Sequence, residues 1–182
     1  MFKDRLLLAA LGVPALLLLV PLIAMRFTTE VNWTASDFVV AYALLAGAGL
    51  GLRLLLRQSP SFAYRAGAAL AIFGQLSLVW VNLAVGFIGS EDNPANLLFF
   101  AVFVTGVGGV VLGGFSAARL ARTCFATGGV QFLVPVVAWL VWRPGFDPSV
   151  ALIFALNFVW VAMFAVAGAC FRHDAAAAPT RG

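Results

Sequence analysis

The chain carries little charge. Eleven basic and seven acidic residues make up 10% of its 182 positions, where a soluble domain carries roughly 25%. Hydrophobic residues make up 63% and mean hydropathy is +1.05. So few charges cannot cover a water-facing globule. Disorder is excluded for the opposite reason, because ample apolar surface is there to bury. Histidine occurs once and cysteine twice, with no metal-ligand spacing among them. No Asp, Glu, Lys or His falls inside an apolar run. Intramembrane proton relays are commonly built from such groups, so their lack argues against a pump of that kind. Nucleophile-elbow, Walker and nucleic-acid motifs are all missing. The sequence therefore points to a non-enzyme with no cofactor and no bound metal.

What is present is six long apolar segments, at about 6–25, 38–56, 66–88, 95–115, 120–142 and 150–171. A helix needs about 20 apolar residues to cross the hydrocarbon. The expected fold is thus all-α, a polytopic transmembrane bundle of six spans. It forms one membrane domain over residues 1–174, followed by a disordered tail at 175–182. The breaks carry helix-end chemistry. Thr34-Ala35-Ser36-Asp37 offers caps before the second span. Asp92-Asn93-Pro94 and Asp147-Pro148-Ser149 each place a cap before a first-turn proline. Lys3 and Arg5 ahead of the first run also suit a signal peptide. The run is longer than the usual h-region and no small-residue cleavage site follows, which favours a retained helix.

With six spans, Lys3, Arg5, Arg53, Arg57, Arg65, Arg119, Arg122, Arg172 and Arg181 share one side, against Arg26 and Arg143 on the other. The positive-inside rule then places both termini in the cytoplasm. Arg53, Arg57, Arg65, Arg119 and Arg122 become expected contacts for anionic lipids on that face, and nucleic acid is not an expected partner. Trp33, Trp139 and Trp142 fall at the opposite boundary, as an aromatic belt would.

Small residues at four-residue spacing mark candidate packing faces: Ala43, Gly47 and Gly51 in span two, and Thr105, Gly109 and Gly113 in span four. They suit contact between these two spans, a seam between copies of the chain, or ordinary packing within the bundle. Val79-Trp80-Val81 and Val159-Trp160-Val161 echo one another faintly, as in an inverted repeat. The polar residues within spans are amides and hydroxyls. Gln75 and Asn82 share a face of span three, Gln131 lies in span five and Asn157 in span six. They form a candidate intramembrane polar site, or serve as hydrogen-bonding glue between helices. The outer loops hold Glu30, Asn32, Trp33 and Asp37, then Glu91, Asp92 and Asn93. These are candidates for a partner surface or a hard cation, with capping as the competing role for Asp37, Asp92 and Asn93.

The stretch Leu78-Val79-Trp80-Val81-Asn82-Leu83-Ala84-Val85-Gly86-Phe87-Ile88-Gly89-Ser90-Glu91-Asp92-Asn93-Pro94-Ala95-Asn96-Leu97 resembles a segment of small bacterial inner-membrane proteins. Residues 31–40, from Val31-Asn32-Trp33-Thr34 onward, are similar to another part of them. The resemblance covers about thirty residues. It implies a multi-pass protein of the bacterial cytoplasmic membrane and brings no activity with it. Sequence reading therefore leads to an accessory or assembly component that meets a membrane-protein partner, or a second copy of itself, through outer loops or helix faces. The alternative is a small-solute transporter or channel using the amides of spans three, five and six.

Overall fold

The computed structural model describes residues 2–89, 92–143, 145 and 148–177, with side chains from residue 7 onward. Helices dominate, and no strand occurs among the described residues. Six of them, counting short consecutive pieces together, are long and apolar enough to cross a membrane. This is the architecture of a helical membrane protein. Large apolar side chains also point outward, including Phe100, Val111 and Leu112 on one helix and Phe132, Leu133 and Val137 on another. Water would penalise such faces, whereas lipid accepts them.

The chain divides into two compact units, Met1–Arg57 and Gln58–Gly182. The first contains α1 (Phe2–Leu17), α2 (Leu19–Ala24) and α3 (Ala35–Leu56). α1 and α2 are one apolar rod broken at Leu18, between Pro14 and Pro21. Each proline removes one helix hydrogen bond and crowds the preceding turn. The Leu22 N–H to Leu18 O bond is stretched to 3.4 Å. Thr34 starts α3 with a reciprocal cap. Its N–H donates to Asp37 Oδ2 at 2.7 Å, and the Asp37 N–H donates to Thr34 Oγ1 at 3.4 Å.

α1 and α3 approach closely at Ala10 and Gly49. A Cβ at Gly49 would lie 3.2 Å from Ala10 Cα and 3.3 Å from Ala10 O. That carbonyl is the one whose helix donor Pro14 removes. Tyr42 adds a hydrogen bond, its hydroxyl donating to Leu11 O at 3.3 Å. The face of α3 that meets α1 therefore runs through Tyr42, Ala46 and Gly49. It is not the Ala43-Gly47-Gly51 row, since Gly47 has no atom within 4 Å among the described residues. Gly49→Val is expected to lower the thermal midpoint in detergent, by about 1–3 kcal/mol of stability for overpacking. Gly47→Val should leave it unchanged. Equal effects at the two positions would contradict this packing. Beyond the break at Leu18, an apolar cleft of about 610 Å³ opens between α2 and α3, lined by Leu18, Leu22, Phe38 and Tyr42 among others.

The second unit contains α4 (Phe62–Ala84), a 3-10 helix (Pro94–Leu98), α5 (Phe99–Gly113), α6 (Ala117–Trp142) and α7 (Pro148–Ala177). Glycines mark its helix crossings. A Cβ at Gly67 would meet Ala167 O at 3.1 Å and Phe171 at 3.2 Å, and one at Gly74 would meet Met163 Sδ at 3.1 Å. One at Gly128 would lie 3.4 Å from Phe164, and one at Gly109 would press on Thr123. These are the close backbone approaches by which small residues let lipid-embedded helices associate. Of the span-four row, Gly109 thus serves packing inside this unit.

At one end of the unit Tyr64 packs edge-on against Phe171, with ring centroids 5.1 Å apart. Its hydroxyl donates to Phe115 O at 2.8 Å in the α5–α6 turn. Arg119 donates to Gly113 O at 2.8 Å, satisfying a carbonyl that the end of α5 leaves open. Its neighbour Gly114 takes a φ of 76°, which favours glycine.

Three differences in extent from the sequence reading stand out. α4 begins at Phe62, ahead of residue 66, and ends at Ala84, short of Ile88. The fourth span opens with the five-residue 3-10 turn, so its α-helix starts only at Phe99. α7 continues to Ala177, so residues 175–177 are helical although the sequence reads as tail there. Residues 178–182 lie outside the described residues. The early end of α4 and the late start of α5 share one cause, the inward turn of Phe87 and Asn96 between them.

Candidate functional site

Polar side chains inside an apolar bundle must find partners in the protein, because hydrocarbon supplies none. The second unit shows where each goes. Gln131 of α6 is fully buried and donates from Nε2 to Asn157 Oδ1 at 2.7 Å. Asn157 of α7 is 1% exposed and donates onward to Ile153 O at 2.8 Å. This pair joins α6 to α7. Asn82 near the end of α4 turns elsewhere, donating from Nδ2 to Asn96 O at 3.3 Å. Gln75 lies against α5, where a Cβ on Gly106 would overlap its Oε1. Ser77 Oγ accepts from Trp160 Nε1 at 3.1 Å and donates to Gly74 O at 3.2 Å, joining α4 to α7.

Several amide atoms have no hydrogen-bond partner among the described residues: Gln75 Nε2, Asn82 Oδ1 and Gln131 Oε1, all buried. Gln131 has a second open acceptor. Pro135 stands four residues on in α6 and has no N–H to give to the Gln131 carbonyl.

Between α4 and α5, Phe87, Ala95 and Asn96 turn into the unit. Gly86 and Gly89 turn the chain with φ of 68° and 73°, a region closed to most side chains. Phe87 is thereby carried into the core with Leu78, Phe99, Val102, Val134 and Phe164. Its ring centroid lies 4.8 Å from those of both Phe99 and Trp160.

Irregular backbone in such a place needs its polar groups satisfied, and Asn96 satisfies three of them. Its Oδ1 accepts from Phe87 N at 3.0 Å and Ile88 N at 2.9 Å, and its Nδ2 donates to Ile88 O at 3.3 Å. Asn96 is 5% exposed. Sequence reading assigned it no role. The available signal was an amide at the apolar start of a span, two residues past a proline and close after two glycines.

The outer-loop candidates divide by use. Asp37 serves the Thr34 cap. Asn93 caps the 3-10 helix, its Oδ1 accepting from Ala95 N at 2.9 Å. The Glu30 N–H donates to Thr28 Oγ1 at 3.1 Å, and Trp33 packs edge-on against Phe38 with centroids 5.3 Å apart. Asn32 and Asp92 are exposed. Glu91 lies outside the described residues, as does Asp147. No group of three His, Cys, Asp or Glu side chains is placed to share a metal among the described residues.

Of the arginines, Arg57, Arg65 and Arg122 are exposed, Arg53 is half-buried, and Arg119 is the α5 cap described above. Arg172 stacks its guanidinium 5.6 Å from the Phe125 ring centroid. Cys124 and Cys170 are free thiols. Comparison of the chain with protein-family models, with curated proteins and with solved structures finds no match to any of them.

Proposed function

We propose that this chain is a non-enzymatic accessory or assembly component of the bacterial cytoplasmic membrane, which meets a membrane-protein partner through its outer loops. Both termini lie in the cytoplasm in this reading. The observation that carries it is the segment between α4 and α5. Asn96 bonds the Phe87 and Ile88 N–H groups and Phe87 packs against Phe99, while Leu97 stays 76% exposed. A recognition surface gains from being held in advance, because less ordering entropy is lost on binding. The exposed Arg57, Arg65 and Arg122 suit anionic headgroups on the cytoplasmic face.

The test places a photo-crosslinking residue at Leu97, and separately at Trp33, in native membranes. One defined partner should be captured from Leu97, and capture should be lost when Asn96→Leu is added. Capture that ignores the Asn96 substitution, or none at all, counts against the reading. A reporter fused after Gly182 should behave as cytoplasmic.

The second reading is a small-solute pathway among spans three, five and six. It draws on the buried amide atoms without partners. Reconstituted vesicles that gain no solute permeability from the protein would remove it.

A further inference from the structure

Gln131 sits at the centre of an unbalanced set of hydrogen-bonding groups. It is fully buried, with Nε2 held by Asn157 and Oε1 without a donor among the described residues. One turn earlier on the same face of α6, Thr127 is 1% exposed and gives its proton to Thr123 O at 2.8 Å. Its hydroxyl oxygen can still accept. Gln75 comes to this place from α4. It does so because α5 presents Gly106 there. A Cβ on Gly106 would overlap Gln75 Oε1 and stand 3.7 Å from Thr127 Oγ1. Gln75 Nε2 is buried there with a proton to give and nothing among the described residues to take it.

We propose that Gln75, Thr127 and Gln131 form a binding site for one water molecule inside the second unit. Its ligand must accept from Gln75 Nε2 and donate to both Gln131 Oε1 and Thr127 Oγ1. A metal cation cannot accept the Gln75 proton. An anion has no proton for Gln131. An alcohol brings one proton where two acceptors face it. Water matches all three, and buried waters commonly make about three hydrogen bonds.

The span matches as well. Residues 127 and 131 are separated by a rise of about 6 Å along α6. A water that donates about 2.9 Å to each, at its own bond angle of about 105°, bridges acceptors about 4.6 Å apart, within reach of two side chains one helical turn apart. The bound water extends the Gln131–Asn157 pair into a chain of hydrogen bonds from α4 through α6 to α7. Gly106 is the opening in α5 that lets the chain pass. The site stands apart from the outer-loop surface and needs neither functional reading above.

The sequence suits a direct test, because it contains only three glutamines, Gln58, Gln75 and Gln131. The full chain labelled with [15N]glutamine in detergent micelles gives three side-chain amide signals, assigned by their loss in Gln75→Met and Gln131→Met. The Gln75 amide should show a direct cross-relaxation peak with water while exchanging at least tenfold more slowly than the exposed Gln58. That peak should vanish in Gln131→Met and in Thr127→Val, and persist in Thr127→Ser. The Thr127 pair decides the matter if Gln131→Met fails to fold. A Gln75 amide with no water peak overturns the proposal, as does a peak that survives Thr127→Val. Exchange as fast as at Gln58 overturns it too, since it means an opening to bulk solvent and not a discrete site.

Discussion

Asn96→Leu should be the most damaging polar substitution in the second unit. The exchange keeps the volume and removes the acceptor of the Phe87 and Ile88 N–H groups together with the donor to Ile88 O. Each buried group left without a partner costs about 1–3 kcal/mol, so the total comes to about 3–5 kcal/mol once water re-solvates part of the segment. Phe87 then loses the backbone placement that seats it between Phe99 and Trp160. Hydrogen exchange resolves the effect by position. The Phe87 and Ile88 amides should be protected in the native protein and exchange freely in the variant, while α6 keeps its protection. Unchanged exchange at these two amides would show that Asn96 does not hold the segment.

Gly67→Val should have a comparable effect through sterics alone. The new Cβ would stand 3.1 Å from Ala167 O and 3.2 Å from both Cys170 Cβ and Phe171 Cδ2. The first of these is backbone and cannot rotate away, so α4 and α7 must separate. Overpacking of this kind costs about 3 kcal/mol, the upper end of its usual range. The separation also strains the Tyr64–Phe171 contact and the Tyr64 bond to Phe115 O. Gly129→Val is the control, because no atom lies within 4 Å of that position among the described residues. The thermal midpoint in detergent should fall sharply for the first and hardly move for the second. Similar midpoints would mean that α4 and α7 tolerate separation at Gly67.

The two substitutions differ in how far the sequence announces them. Gly67 is one of 18 glycines, and nothing local separates it from Gly129. The rows noticed for their spacing, Ala43-Gly47-Gly51 and Thr105-Gly109-Gly113, gave mixed results. Gly109 meets Thr123, whereas Gly47 meets nothing among the described residues and Gly49 takes the contact with Ala10. In a soluble helix an apolar stripe shows which face turns inward. These helices are apolar all round, so rotation about the axis leaves little trace in the sequence.

The candidate polar site was legible in its residue types and not in its pairings. An amide inside an apolar run must be bonded, and Gln131 with Asn157 shows it. Asn82 was read as a neighbour of Gln75 on one face of span three. In the fold it turns to the Asn96 carbonyl at the end of α4. Asn96 itself looked like one polar loop residue among several.

By itself the sequence determined that the chain has six apolar segments long enough to cross a membrane, and roughly where each is interrupted. Segment length and apolarity are properties of the chain in one dimension, and caps, prolines and glycines act within a few residues. Only the tertiary structure decided which glycines become crossings, that Phe87 and Asn96 turn inward between α4 and α5, and which amide meets which. Those outcomes depend on the rotation and depth at which apolar helices settle against one another. In lipid that choice is made by close packing and hydrogen bonding between distant residues, because burial of apolar surface no longer distinguishes one face from another.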